Sequence, residues 1–113
     1  MEKSYVYIVE CADGSLYTGW TTRPLYRIAV HNEGKGAKYT RGRRPVTLVY
    51  LECLKDRSAG LMREAQIKKL TAVQKWALIR KEEERSAELI RALQQQVEPS
   101  EIKISESQEK AND

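Results

Sequence analysis

Two short runs rich in β-branched and aromatic residues, Ser4-Tyr5-Val6-Tyr7-Ile8-Val9-Glu10 and Leu16-Tyr17-Thr18-Gly19-Trp20, stand on either side of Asp13-Gly14. Such runs favour the pleated, half-buried surface of a sheet, and an Asp-Gly pair supplies the positive φ that a tight turn between twisted strands needs. The spacing therefore predicts an antiparallel hairpin with strands at about 4–10 and 15–20. Period two puts Tyr5, Tyr7 and Val9 on one face and Val6 and Ile8 on the other, so both faces need at least partial cover.

The rest of the chain supplies that cover. Thr22-Arg23-Pro24 offers a capping residue and a first-turn proline, and Leu25, Ile28 and Ala29 recur at helical spacing until Gly34, which predicts a helix over about 23–33. Residues 46–52, Val-Thr-Leu-Val-Tyr-Leu-Glu, read as a third strand. Asp56 or Ser58 can cap a helix whose stripe contains Leu61, Ala65 and Leu70, and Thr71 can cap another from Ala72. This last helix reads as long: Val73, Trp76, Ala77 and Ile79 form an apolar face, the stripe lapses over 80–86, and Ala87, Ile90 and Leu93 resume it. The expected order is β-β-α-β-α-α, an α+β fold with a small three-stranded antiparallel sheet flanked by helices. One domain over 1–81, a distal helix extension over 82–96 that projects or docks weakly, and a disordered acidic tail over 97–113 complete the expectation.

Charge divides the chain in the same place. Residues 1–81 hold 16 basic and 7 acidic side chains, whereas 82–113 hold 4 and 9. Five of the basic residues, Lys35, Lys38, Arg41, Arg43 and Arg44, fall in the segment 34–45 with three of the six glycines and Tyr39. A loop of that length and charge suits a phosphate backbone, with flexible glycines to follow it and Tyr39 to stack on a base. No apolar run approaches the roughly 20 residues that cross a bilayer, and the N-terminus does not open on a signal-peptide core. A cytoplasmic monomer with no membrane contact is the expectation. Cys11 and Cys53 lack the spacing of a metal knuckle and read as reduced thiols.

No phosphate-cradling loop, Cys/His cluster or nucleophile elbow is present. What remains is an ordered set: Val6-Tyr7-Ile8, then Tyr17-Thr18-Gly19, then Arg27 and His31 four apart on one helix face, then Glu64. This set resembles the GIY-YIG nuclease family over about residues 4–80. The runs 11–19 and 31–41 are similar to its small single-domain bacterial members.

The resemblance implies a metal-dependent endonuclease. Glu64 would hold one Mg²⁺ or Mn²⁺, and Arg27 would clamp the phosphate as negative charge builds. Tyr7 and Tyr17 would orient and deprotonate the attacking water, with His31 accepting or relaying the proton. Because a free tyrosine titrates near pH 10, the metal, Arg27 or His31 must lower its pKa for it to serve as a base. The implied partner is nucleic acid, DNA ahead of RNA, bound through Lys35, Lys38, Tyr39, Arg41, Arg43 and Arg44. Three positions depart from the family pattern: Val6 replaces the first glycine, Trp20 stands where larger members carry a lysine, and His31 stands where many carry a tyrosine. Two rival readings come from other classes: a non-catalytic nucleic-acid-binding module of the same fold, and an adaptor that recruits a protein through Ala87, Ile90 and Leu93. Taken alone, Glu64 reads as half of an i,i+4 ion pair with Lys68, and His31 as a dipole-capping residue.

Overall fold

The computed structural model describes residues 3–96, and the acidic tail expected over 97–113 lies outside them. Strands β1 (Ser4–Glu10), β2 (Leu16–Thr21) and β3 (Thr47–Leu54) form one antiparallel sheet in the order β2-β1-β3. In the hairpin, Tyr7 lies opposite Gly19 and Val9 opposite Tyr17. The turn runs from Cys11 to Ser15, closed by Cys11 N–H donating to Ser15 O at 2.8 Å, with Gly14 at φ 85°. The α+β architecture is the one read from the sequence.

Helices occupy both faces. On the Val6/Ile8 face, Tyr50, Ile67 and Ile79 complete a buried cluster with Trp20, Leu70 and Trp76 packed against it. These contacts come from α3 (Arg57–Lys68) and α4 (Ala72–Lys81). Asp56 caps α3 by accepting from Ala59 N–H at 2.9 Å, and Thr71 with Gln74 forms a capping box at the start of α4. On the opposite face, Tyr7, Val9, Cys11, Val46 and Leu51 are covered by Ile28 and by Leu89, Ile90 and Leu93. Both cysteines are free thiols, Cys11 buried and Cys53 half-buried. No helix among the described residues is long and apolar enough to cross a membrane.

Four expectations change. Helix α1 (Pro24–Asn32) takes no side-chain cap from Thr22: Arg23 is the N-cap, and Thr21 Oγ1 accepts from Arg23 N–H at 2.9 Å instead. The segment 34–45 contains a short helix, α2 (Lys38–Arg41), that a glycine-rich pattern conceals. The last helix is two, broken at Glu82, and of the two alternatives for its second part, α5 (Glu83–Gln96), the structure shows docking on the sheet. Ser86, fully buried, anchors it by accepting from Leu51 N–H at 3.1 Å and donating to Leu51 O at 3.3 Å. The break lets the chain turn and place Ile90 and Leu93 on the sheet, so these two residues of the stripe assigned to a protein partner are partly covered from within. Finally, the stripe read on α3 is buried only in part: Leu61 is 40% and Met62, beside it, 64% exposed, whereas Ile67, also beside it, and Gly60 face inward and Leu70 packs on the core. A Cβ at Gly60 would overlap the Ser4 hydroxyl and the Trp20 indole, so the helix backbone rests directly on these two sheet side chains.

Candidate active site

Residues from both sides of the sheet reach one cleft at its β2 edge. Tyr7 sits on the central strand with its ring across Gly19, where any Cβ would overlap the phenol. A glycine at that register is thus a steric requirement for bringing the Tyr7 hydroxyl to the sheet edge. Tyr17, two residues earlier on β2, stands beside it with ring centroids 6.5 Å apart. Arg27 comes from α1, and Arg57, Leu61 and Glu64 come from α3. Together with Trp20 these residues line a cleft of about 350 Å³.

His31 is not in the cleft wall but behind it, fully buried. Its Nε2 is 2.7 Å from Tyr7 Oη and its Nδ1 is 2.8 Å from Thr40 Oγ1. The imidazole meets both tyrosines edge-on, at 5.7 Å from Tyr7 and 5.5 Å from Tyr17. Burial, with a smaller contribution from the charge on Arg27, lowers its pKa to about 4. It is therefore neutral near pH 7 and does not cap the helix dipole as a cation, which corrects that reading of it. A neutral imidazole touching a phenol is a group that can accept its hydrogen bond and fix the direction of its hydroxyl proton.

Glu64 does make the i,i+4 ion pair, with Lys68 Nζ at 3.2 Å, but its side chain is only 18% exposed and lines the cleft. Arg57 is the cleft residue that the sequence reading missed. It occupies the first turn of α3, which contains no acidic residue, and its guanidinium lies 5.0 Å from the Trp20 ring centroid. A cation where the helix dipole favours an anion was the available signal, as was the spacing of 57, 61 and 64 along one helix face. Trp20 both joins the core and lines the cleft, so a guanidinium stacked on it puts positive charge beside the position where larger family members have lysine.

The basic segment forms a tied rim rather than a flexible loop. Gly34, at φ 81°, ends α1 as a left-handed residue, and Lys35 N–H returns to Val30 O at 3.1 Å. Gly36 is buried under His31, whose Nδ1 a Cβ would overlap. Arg43 pairs with Asp13 at 3.0 Å, donates to Tyr39 O at 2.8 Å and lies 3.9 Å from the Tyr39 ring centroid. Arg44 donates to Arg41 O at 3.0 Å, and Arg41 to Gly36 O at 3.4 Å. Tyr39 is stacked on Tyr17 at 5.9 Å, so its ring already has an aromatic partner. Lys35, Lys38, Arg41 and Arg44 remain solvent-exposed. The glycines thus serve packing and helix termination, and the rim offers charge on a fixed backbone.

A model of the GIY-YIG catalytic domain matches residues 3–77. The UPF0213 protein of Syntrophus aciditrophicus is 55% identical over 86 residues, which cover 75% of this chain and 99% of that protein. The UPF0213 protein SH2523 of Staphylococcus haemolyticus is 56% identical over 79 residues, 70% of this chain and 96% of its own. Among solved structures, the solution NMR structure of the UPF0213 protein BH0048 of Bacillus halodurans shares 43% identity and covers 72% of this chain and 86% of that one, with a TM-score of 0.49.

Proposed function

Because the chain belongs to the GIY-YIG domain family, we propose that it is a phosphodiesterase that cleaves nucleic acid, DNA ahead of RNA, at the cleft on the β2 edge. The observation that carries this reading is the convergence of Tyr7, Tyr17, Arg27 and Glu64 on one cleft from four separate elements and a spread of more than fifty residues of sequence. Structural packing alone gives no reason for a guanidinium pair, two phenols and a carboxylate to share a cleft.

The donor set fits a hard divalent cation of the Mg²⁺ or Mn²⁺ type. Among the described residues no three His, Cys, Asp or Glu side chains gather, so a cage made wholly by protein is absent. Mg²⁺ does not require one: it commonly takes one or two carboxylates and fills its remaining positions with water and substrate phosphate. Glu64 is the carboxylate that would hold it. When bound, the ion would supply Lewis-acid polarisation of the phosphate and neutralise charge on the leaving oxygen.

The chain's own side chains divide the remaining work. Arg27 presents a planar, permanently charged donor fork toward the cleft, suited to two phosphate oxygens as their charge grows. Arg57, held over Trp20, adds a second cation for the neighbouring phosphate. Tyr7 and Tyr17 place hydroxyls where an attacking water can be oriented, and Tyr7 is the one coupled to a proton acceptor, His31, at 2.7 Å. Lys35, Lys38, Arg41 and Arg44 provide the electrostatic track along which the nucleic acid is held. Among the described residues the cleft and its basic rim offer charge and shape rather than a reader of base edges, so ends, flaps, nicks and single strands are the substrates proposed.

A cleavage time course on labelled single-stranded, duplex, flap and nicked DNA and on RNA, with Mg²⁺, Mn²⁺ or EDTA, tests this. Metal-dependent products with wild type and none with folded Glu64→Ala are expected. Salt-sensitive binding with no turnover by wild type would instead support the non-catalytic module.

A further inference from the structure

We infer that Thr40 is a positioning residue that fixes the protonation pattern of His31, so that its Nε2 is kept free to accept the hydrogen bond of the Tyr7 hydroxyl. The inference rests on the nuclease reading only for its catalytic consequence; the pattern itself belongs to the folded protein.

A count of protons along one hydrogen-bonded chain decides the pattern. Thr40 Oγ1 lies 2.9 Å from Ala37 O and 2.8 Å from His31 Nδ1. The carbonyl can only accept, so the geometry directs the single hydroxyl proton of Thr40 at Ala37 O, which also takes the N–H groups of Thr40 at 3.0 Å and Arg41 at 3.2 Å. The hydroxyl then meets Nδ1 with a lone pair, and Nδ1 must carry the proton to donate to it. A neutral imidazole has one N–H, so Nε2 is the bare nitrogen, and the Tyr7 hydroxyl 2.7 Å away donates to it. The opposite pattern would turn Nε2–H toward Tyr7 and leave His31 unable to accept from the phenol.

The surroundings hold this arrangement in place. Thr40 and His31 are both fully buried, which excludes water as a competing partner for Nδ1. Gly36 lets the backbone close over the ring, where a Cβ would overlap Nδ1. Thr40 lies within α2, flanked by Tyr39 and Arg41, and Arg43 N–H donates to its carbonyl at 3.1 Å. The basic rim therefore has an inward-facing role that its charge pattern does not reveal: one of its residues orients the proton acceptor of the cleft. In metal sites, partners that orient a ligating histidine in this way are commonly worth a ten- to hundredfold effect.

The chain has a single histidine, so the side-chain nitrogen spectrum of ¹⁵N-histidine-labelled protein reports on this one ring. At neutral pH the wild type is expected to show a protonated, pyrrole-type Nδ1 and a bare, pyridine-type Nε2. Thr40→Val, which keeps the shape and removes the hydroxyl, should lose that pattern, and Thr40→Ser should restore it. Tyr7→Phe should leave it unchanged. In the cleavage assay Thr40→Val should lower kcat by about tenfold or more with little change in KM, and Thr40→Ser should recover it. A wild-type ring with its proton on Nε2, a Thr40→Val ring like wild type, or a pattern that flips in Tyr7→Phe would each overturn the assignment, and the wild-type spectrum decides even if Thr40→Val does not fold. The nitrogen spectrum needs no turnover: the expected pattern without cleavage of any substrate would count against the nuclease reading and for the role of Thr40.

Discussion

The cleft has two halves built on opposite principles. The inner half, Tyr7, His31 and Thr40, is almost fully buried, and each polar atom used in it has a partner within 2.9 Å. The outer half opens to solvent on long side chains, with Arg27 and Glu64 half-buried, Arg57 exposed and resting on Trp20, and Glu64 tied to the exposed Lys68. Proton transfer depends on distance and desolvation, so the groups that handle it gain from being locked in place. Phosphates and hydrated cations arrive with their own shells and geometry, so the groups that receive them gain from reach and adjustable position. The comparison teaches that side chains in one cleft can be held to different tolerances, and that damage should differ accordingly: outer-half variants lose function and keep stability, inner-half variants lose both.

Glu64 is the strongest test of the outer half. Glu64→Ala should abolish metal-dependent cleavage while shifting stability by no more than about 0.5 kcal/mol, because a single helix ion pair of this kind is worth only a few tenths. Thermal unfolding beside the cleavage assay checks both parts; a stability loss of several kcal/mol would mean that Glu64 is structural. Arg27→Ala should follow with a fall of roughly 10²–10³ in kcat, the range seen when one preorganised donor to a developing charge is removed. Undiminished turnover by the folded variant would take Arg27 out of the mechanism.

Gly19→Ala tests the inner half. The added methyl has nowhere to go but into the Tyr7 ring, so the variant should lose about 1–3 kcal/mol of stability as an overpacked site. Cleavage should fall with it, since Tyr7 cannot move without leaving His31. A protein as stable as wild type would show that the phenol is free to swing aside and that the inner half is not locked.

Each half also holds one residue that sequence reading did not supply. Tyr7, Tyr17, Arg27, His31 and Glu64 could be picked out because each carries a distinctive group in an ordered pattern, and the strands that carry the first two announce themselves by composition and the Asp-Gly turn. Thr40 carries a hydroxyl that is common in any short helical turn, and only the fold brings it to an imidazole nine positions away. Arg57 was hidden for a different reason: its first-turn position reads as poor helix chemistry until Trp20, thirty-seven residues earlier, is seen beneath it. The sequence left open whether α5 projects or docks weakly, because the lapse of apolar residues over 80–86 does not show that the chain breaks there and turns Ile90 and Leu93 back onto the sheet.

Arg57 gives a smaller effect that sharpens the outer half. As a contact to a phosphate beside the scissile one, it should contribute mainly to binding: Arg57→Gln is expected to weaken DNA affinity by up to about tenfold and to reduce the salt dependence by about one phosphate contact, with kcat at saturating DNA close to wild type. A change in kcat alone would move Arg57 to the scissile phosphate.

The smallest effect is a pH dependence of stability that belongs to the inner half. In the unfolded chain His31 takes up a proton near its ordinary value of 6.5, whereas in the fold burial and then Arg27 hold the imidazole neutral until about pH 4. Between these values the unfolded state binds more protons than the folded one, so the stability due to a neutral His31 is fully present above about pH 6.5 and is lost as pH falls toward 4. One such group contributes at most about 1.4 kcal/mol per pH unit to the slope. Urea midpoints measured from pH 7.5 to 4.5 should therefore fall more steeply for wild type than for His31→Gln, which cannot take up this proton. Carboxylates titrating in the same range are common to both proteins, so the difference between the curves isolates the imidazole. Equal slopes would mean that His31 is solvated enough to protonate in the folded protein, and the contrast between a locked and an open half of the cleft would fail at its central residue.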